Sequence, residues 1–416
     1  MFKPVGEGII RPDALDKVKG KALYPADMEF PEMLFGGVVR STIPFGRVVA
    51  VNVEKAKSII GVKAIIDYTM IPGDITNGVI FKDLPVLVKD VVKRVGDPII
   101  LVIAESQEIL NKALSLIEIK YEPCKGIFTI EDALKEDAPI LGEKSNVLYN
   151  IKIKKGDIEK GFNQAKYVAE NWYSTQMVDH GFLQTESAIA RMGNGGAIEV
   201  YVATQYPHYD REEISRCLNM PEEKVKVINV SIGAAFGARE DMTLQCHAAL
   251  GTFITGKPVK IVYSREESAV THCKRHPLKM YYKTAVGEDG KLCALKARIW
   301  GDSGAYASWG INVLRKSAVH ASGPYEISNV DIESMAVYTN NSFSGAMRGF
   351  GATQVAAAYE SQMDILAEKL NMHPLKFRHM NSFQVGSFTA TGQCLTSSIG
   401  AKKCIEEIAK LDGIEL

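Results

Sequence analysis

Ser231-Ile-Gly-Ala-Ala-Phe-Gly-Ala-Arg-Glu-Asp241 is the stretch around which the chain is organised. It follows Val225–Val230, an apolar, Val-rich run of strand character, and precedes Met242–Thr255, which reads as a helix. The small residues Gly233, Ala234, Ala235, Gly237 and Ala238 allow a tight turn and the close approach of something large. A second segment of the same character, Gly345-Ala-Met-Arg-Gly-Phe-Gly-Ala-Thr-Gln354, opens another helical pattern. Each turn carries a Phe and an Arg and leads into a helix, so the pair is expected to form two walls of one ligand site.

Working outward, 416 residues suggest two or three domains. The 49 basic and 49 acidic residues cancel, and no basic run favours nucleic acid or a membrane surface. With no long apolar segment and no signal-like start, a cytoplasmic protein is expected. The seven cysteines are scattered without a Cys-x-x-Cys pair, which argues against an iron–sulfur cluster or zinc ribbon on this chain.

Residues 1–121 read as a compact α+β unit. Its strands are expected at Met33–Arg40, Val48–Val53, Val62–Asp67 and Pro98–Ala104, and its main helix at Gln107–Leu116. Residues 122–150 mix Pro, Gly and charges and read as a linker. The second unit, 151–416, has strands expected at Tyr167–Thr175, Ala197–Thr204, Val225–Val230 and Val259–Tyr263, and helices at Tyr209–Leu218 and Val355–Leu370. Met280–Val286 and Leu292–Trp300 flank an Asp-Gly turn and predict a hairpin. Strands and helices alternate without a regular βαβ period, so the fold class is α+β.

From spacing alone the candidate residues keep two readings each. Ser231–Asp241 suits a phosphate cradle, or a plain tight turn, since neither Gly-x-Gly-x-x-Gly nor a P-loop ending is present. Glu240 and Asp241 suit a site, or serve as acids at a helix start. Arg348 offers a planar fork and Phe350 a ring face to a ligand, or they are a structural ion pair and a core aromatic; the same choice holds for Phe236 and Arg239. His272 and His276 lie four apart in a polar, loop-like stretch, where a metal site is not expected.

Together these stretches resemble the molybdenum hydroxylases, the family of xanthine dehydrogenase and aldehyde oxidase. Gly233–Glu240 is similar to that family's Gly-Gly-Gly-Phe-Gly-Gly-Lys-Glu loop, and Ala346–Gln354 to its Ala-Phe-Arg-Gly-Phe-Gly-Gly-Pro-Gln loop. Val18–Asp27, Arg40–Pro44, Thr204-Gln205, Ser264–Glu267 and Gly301–Tyr306 fall in the family's order, so the likeness covers nearly the whole chain. Segments 67–73, 205–211 and 338–341 and the length resemble the nicotinate dehydrogenase branch, whose molybdopterin-binding subunit is split into two polypeptides. The resemblance implies a hammerhead-like α/β N-terminal domain followed by a mixed α+β molybdopterin-binding domain.

It also implies an activity: hydroxylation of an electron-poor carbon in a nitrogen heterocycle, nicotinate-like or purine, with water as oxygen donor. The cofactor would be molybdenum-molybdopterin in its cytosine dinucleotide form. The expected partners are a second molybdopterin subunit carrying the catalytic Glu, an iron–sulfur subunit with [2Fe-2S] clusters, and an FAD subunit. Carried over by position, Gln205, Gly233, Phe236, Gly237 and Arg348 would bind cofactor. Glu240, Lys316 and Phe350 would bind substrate, with Glu240 and Lys316 also catalytic and no residue ligating the metal directly. Ala at 234, 235 and 238 and Arg239 depart from the family loop, and Val178 falls where many relatives place a Gln. The alternatives are a non-catalytic assembly subunit of such a complex, a purine- or aldehyde-specific hydroxylase, or an unrelated nucleotide-binding protein.

Overall fold

Pro98–Ala104 is a continuous apolar run, and in the computed structural model, which describes residues 6–416, all seven of its residues are buried. Such a run suits a central strand. It pairs antiparallel with Leu34–Arg40 on one side and Val62–Ile66 on the other. The sheet continues beyond them in the order Val225–Asn229, Ile198–Val202, Ser187–Met192, Val259–Val262, Leu34–Arg40, Pro98–Ala104, Val62–Ile66. Its seven strands mix parallel and antiparallel pairs, as the α+β reading expects.

The seam of this sheet joins the two expected units. Leu34 pairs with Val259 and Phe35 with Lys260, so strands from before residue 121 and after residue 150 share one sheet. Gly36 makes the seam close. A Cβ there would stand 2.8 Å from Ile261 and 3.2 Å from Ile103. Ile103 and Ile261 are both buried at this junction, and burial of side chains of this size stabilises by about 1.5–3 kcal/mol each.

A second, five-stranded sheet runs Tyr167–Ser174, Leu278–Val286, Leu292–Gly304, Asn329–Tyr338, Val147–Lys155. The Asp-Gly hairpin is there, closed by the Gly287 N–H donating to the Lys291 carbonyl at 2.9 Å. Val147–Lys155 begins inside the expected linker and pairs along Asn329–Tyr338, so the linker ends earlier than residue 150. Helices Gly310–His320 and Ala352–Lys369 pack against this sheet. The helix expected from Met242 starts at Gln245, because the Gln245 Oε1 accepts the N–H groups of Thr243 and Leu244 and caps the turn before it. No helix among the described residues is long and apolar enough to cross a membrane.

This arrangement places the two small-residue turns. Residues 231–241 leave the edge strand Val225–Asn229 of the first sheet. Residues 345–351 enter the long helix that backs the second.

Candidate functional site

The two turns touch through their backbones. The Arg348 N–H donates to the Phe236 carbonyl at 2.8 Å. A Cβ on Gly237 would stand 2.6 Å from the Ala346 carbonyl oxygen, so only glycine allows this approach. The buried His180 holds the same carbonyl from behind through its Nε2, at 2.8 Å. Gln205 braces the first turn twice. Its Oε1 accepts the Gly237 N–H at 3.1 Å, and its own N–H donates to the Arg239 carbonyl at 3.0 Å. The Gly233 N–H donates to the Gln184 Oε1 at 2.6 Å.

Arg239 resolves as structural. Its buried guanidinium donates to the carbonyls of Ala234 and Gln184 and lies 4.8 Å from the centre of the Phe182 ring. Phe236 is not a core aromatic: it is 46% exposed. Ala234, Phe236 and Phe350 all have left-handed backbone, with φ of +79°, +55° and +53°, and Ser308 beside them has +38°. Left-handed backbone at bulky residues is costly and concentrates at functional sites.

Glu240 ends a short 3-10 turn, Ala238–Glu240, and the next helix begins only at Gln245. Neither Glu240 nor Asp241 therefore lies in the first turn of that helix, and the helix-start reading of these acids is corrected. Glu240 is half-buried; burial, and then the neighbouring Asp241, push its carboxyl up to about 7. Asp241 is buried beneath, where the Ser308 hydroxyl donates to its two oxygens at 2.8 and 2.9 Å. Burial raises it to about 6.

Lys316, on helix Gly310–His320, places its ammonium 5.9 Å from the centre of the Phe350 ring. Phe350 meets Trp309 at 5.8 Å, edge to face, and Trp309 meets Tyr206 at 6.0 Å. Sequence reasoning singled out neither Tyr206 nor Trp309, although Tyr206 follows Gln205 in a segment noted for its likeness. Arg348 is exposed, and its carbonyl accepts from the Arg275 guanidinium at 3.0 Å. Val178 lies at the surface, its carbonyl accepting the Arg275 N–H at 3.0 Å. His272 and His276, expected in a polar loop, are buried; His272 faces Asp179 at 3.2 Å and Glu186 at 3.4 Å.

The cradle suits a large, polar cofactor. Positive φ at 234, 236 and 237 winds the turn tightly, and its small residues leave room for a large group beside it. The buried Gln184 Nε2, whose amide already holds the Gly233 N–H, has no partner. An unpaired amide donor beside a tight, small-residue turn is the chemistry that the polar edge of a pterin requires.

Fold and cradle together define a molybdopterin-binding chain: residues 141–382 match the family model of the molybdopterin cofactor-binding domain. Residues 19–125 match the aldehyde oxidase and xanthine dehydrogenase a/b hammerhead domain. The chain belongs to the aldehyde oxidase and xanthine dehydrogenase family, as a molybdopterin-binding subunit of its molybdenum-dependent oxidoreductases.

Over 406 residues it is 43% identical to the large molybdopterin subunit of nicotinate dehydrogenase from Eubacterium barkeri, covering 98% of this chain and 96% of that one. It is 36% identical to a probable xanthine dehydrogenase subunit of Bacillus subtilis, over 96% of this chain and 54% of that one. The solved aldehyde oxidoreductase of Desulfovibrio gigas superposes with a TM-score of 0.92 at 26% identity, over 96% of this chain and 46% of that one. The chain thus spans nearly all of the first relative and about half of the other two.

Proposed function

We propose that this chain supplies the molybdopterin cradle and one wall of the substrate pocket in a multi-chain hydroxylase. Its substrate is a flat nitrogen heterocycle, nicotinate-like or purine, and water is the oxygen donor. The observation that carries this reading is the contact between the two turns, which sets Phe236 and Gly237 beside the Arg348 backbone, with Glu240 and the Lys316–Phe350 pair flanking them.

In this reading Gln205, Gly233, Phe236, Gly237 and Arg348 hold the cofactor, in its cytosine dinucleotide form. When bound, the molybdenum cofactor supplies the two-electron oxidation and the water-derived oxygen. The chain's own residues orient the ring. Phe350 stacks against it. Glu240 hydrogen-bonds a ring nitrogen, and its raised pKa lets it hold or release a proton near neutral pH. Lys316 stabilises negative charge developing on the ring as a point charge, without the bidentate fork an Arg would offer. The catalytic Glu, the [2Fe-2S] clusters and FAD belong to partner chains, and the complex works in the cytoplasm.

The test is molybdenum per mole of this chain, in the complex drawn from its own cells through a tag on this subunit. About one metal per chain, with turnover of a pyridine or a purine, supports the reading. No metal in a complex that contains its partner chains rejects it in favour of an assembly role.

A further inference from the structure

Two aromatic residues outside the family-like turns stand in line with the pocket residues. Tyr206 holds the N-cap position of helix Pro207–Leu218, and Trp309 that of helix Gly310–His320. Their rings are 6.0 Å apart, and Trp309 continues to Phe350 at 5.8 Å, where the Lys316 ammonium lies 5.9 Å from the ring centre.

The other end of the row is fixed by backbone. The Gln205 N–H donates to the Arg239 carbonyl, which seats Tyr206 beside Glu240. The Glu240 charge is felt there, as it adds to the burial that raises the Tyr206 phenol. The row therefore runs from a carboxyl at Tyr206 to an ammonium at Phe350.

An aromatic group that served only the core would be enclosed. Here Tyr206 is 41% exposed, and Trp309 and Phe350 are half-buried, so the row is open on one side. A flat ligand completes such a surface by offset or edge-to-face contact.

We propose that Tyr206 and Trp309 contact the substrate, and that they orient a flat heteroaromatic ring with its anionic or acceptor oxygen toward Lys316 and a ring nitrogen toward Glu240. This rests on the reading of the site as a hydroxylase pocket. Stacking lowers the free energy of bound ring and transition state alike, so it acts on KM and leaves kcat nearly unchanged.

The test uses the assembled complex and whichever of pyridine-3-carboxylate and xanthine the wild type turns over. Trp309→Leu raises KM about tenfold, with kcat within about twofold and molybdenum per chain unchanged. Tyr206→Ala raises KM severalfold, whereas Tyr206→Phe, which keeps the ring, stays near the wild-type value. Unchanged KM in both Trp309→Leu and Tyr206→Ala overturns the proposal. So does a joint fall of kcat and metal content at constant KM, which marks a purely structural role. A wild-type complex that oxidises neither compound and holds no metal rejects the hydroxylase reading itself; wild-type turnover with unshifted variants rejects only the roles of Tyr206 and Trp309.

Discussion

The Arg348 N–H reaches the Phe236 carbonyl at 2.8 Å, and this one bond joins two turns that hang from different sheets. Phe236 and Phe350 both keep left-handed backbone around it, so the junction is held against local strain by its surroundings. His180, Gln205 and Arg239 supply that support from three sides.

Gly237 is the position where the junction has least room. Its φ is +110°, and a Cβ would stand 2.6 Å from the Ala346 oxygen and 3.1 Å from the Met347 Cα. Gly237→Ala is expected to destabilise the chain by about 2 kcal/mol or more and to reduce bound molybdenum. Gly196→Ala, at φ +74° with nothing within 4 Å, carries only the backbone penalty of about 1 kcal/mol. Chemical denaturation and elemental analysis of both variants check the difference; equal effects would show that the contact with Ala346 is immaterial.

Glu240 gives the chain a pH signature. Its folded pKa, about 7, lies above the ordinary value of 4.5. Between those values the folded chain holds a proton that the unfolded chain has lost, so this contribution to stability is present at low pH and disappears as the pH rises to about 7. Glu240→Gln has no proton to lose. Relative to wild type it should gain stability from pH 5 to pH 8, keep its molybdenum, and lose most turnover. Melting curves across that range and metal analysis test this, and loss of metal in the variant would make Glu240 structural.

Much of this site was legible because its signals are local. Two glycine-rich turns, each with a Phe and an Arg, mark close backbone approach in the sequence itself, and Gly237 and Phe236 meet the second turn as expected. The Tyr206–Trp309 contact carries no local signal; it depends on how two helix starts are brought together. The start of strand Val147–Lys155 lies before Ile151, where the second unit is expected to begin: Val147–Asn150 follow the Pro-, Gly- and charge-rich stretch directly, and their pairing along Asn329–Tyr338 is what marks them as strand. The shared sheet could not be seen at all, because Leu34 and Val259 pair across most of the two units.

Lys316 sets its charge against the Phe350 ring. Lys316→Met keeps the stem packed and removes the charge. A charge-assisted contact to substrate contributes about 1.5–3 kcal/mol, so kcat/KM should fall roughly 10- to 100-fold. Lys316→Arg restores the charge and should recover most of that loss. Steady-state kinetics of the complex decide it: equal activity of the Met and Arg variants would remove charge from the role of this residue.

Ala234 sharpens the account of the departures from the family loop. Of the three alanines that replace glycine, only Ala234 has positive φ, at +79°. An alanine pays about 1–2 kcal/mol in that conformation, while glycine loses roughly 0.5–1 kcal/mol more conformational entropy on folding. Ala234→Gly should therefore stabilise the chain by about 0.5–1 kcal/mol. Ala235→Gly and Ala238→Gly, where no left-handed strain is relieved, should destabilise it by about as much. Denaturation midpoints of the three variants rank these effects, and a loss of stability in Ala234→Gly would mean that the turn does not hold its left-handed form in solution.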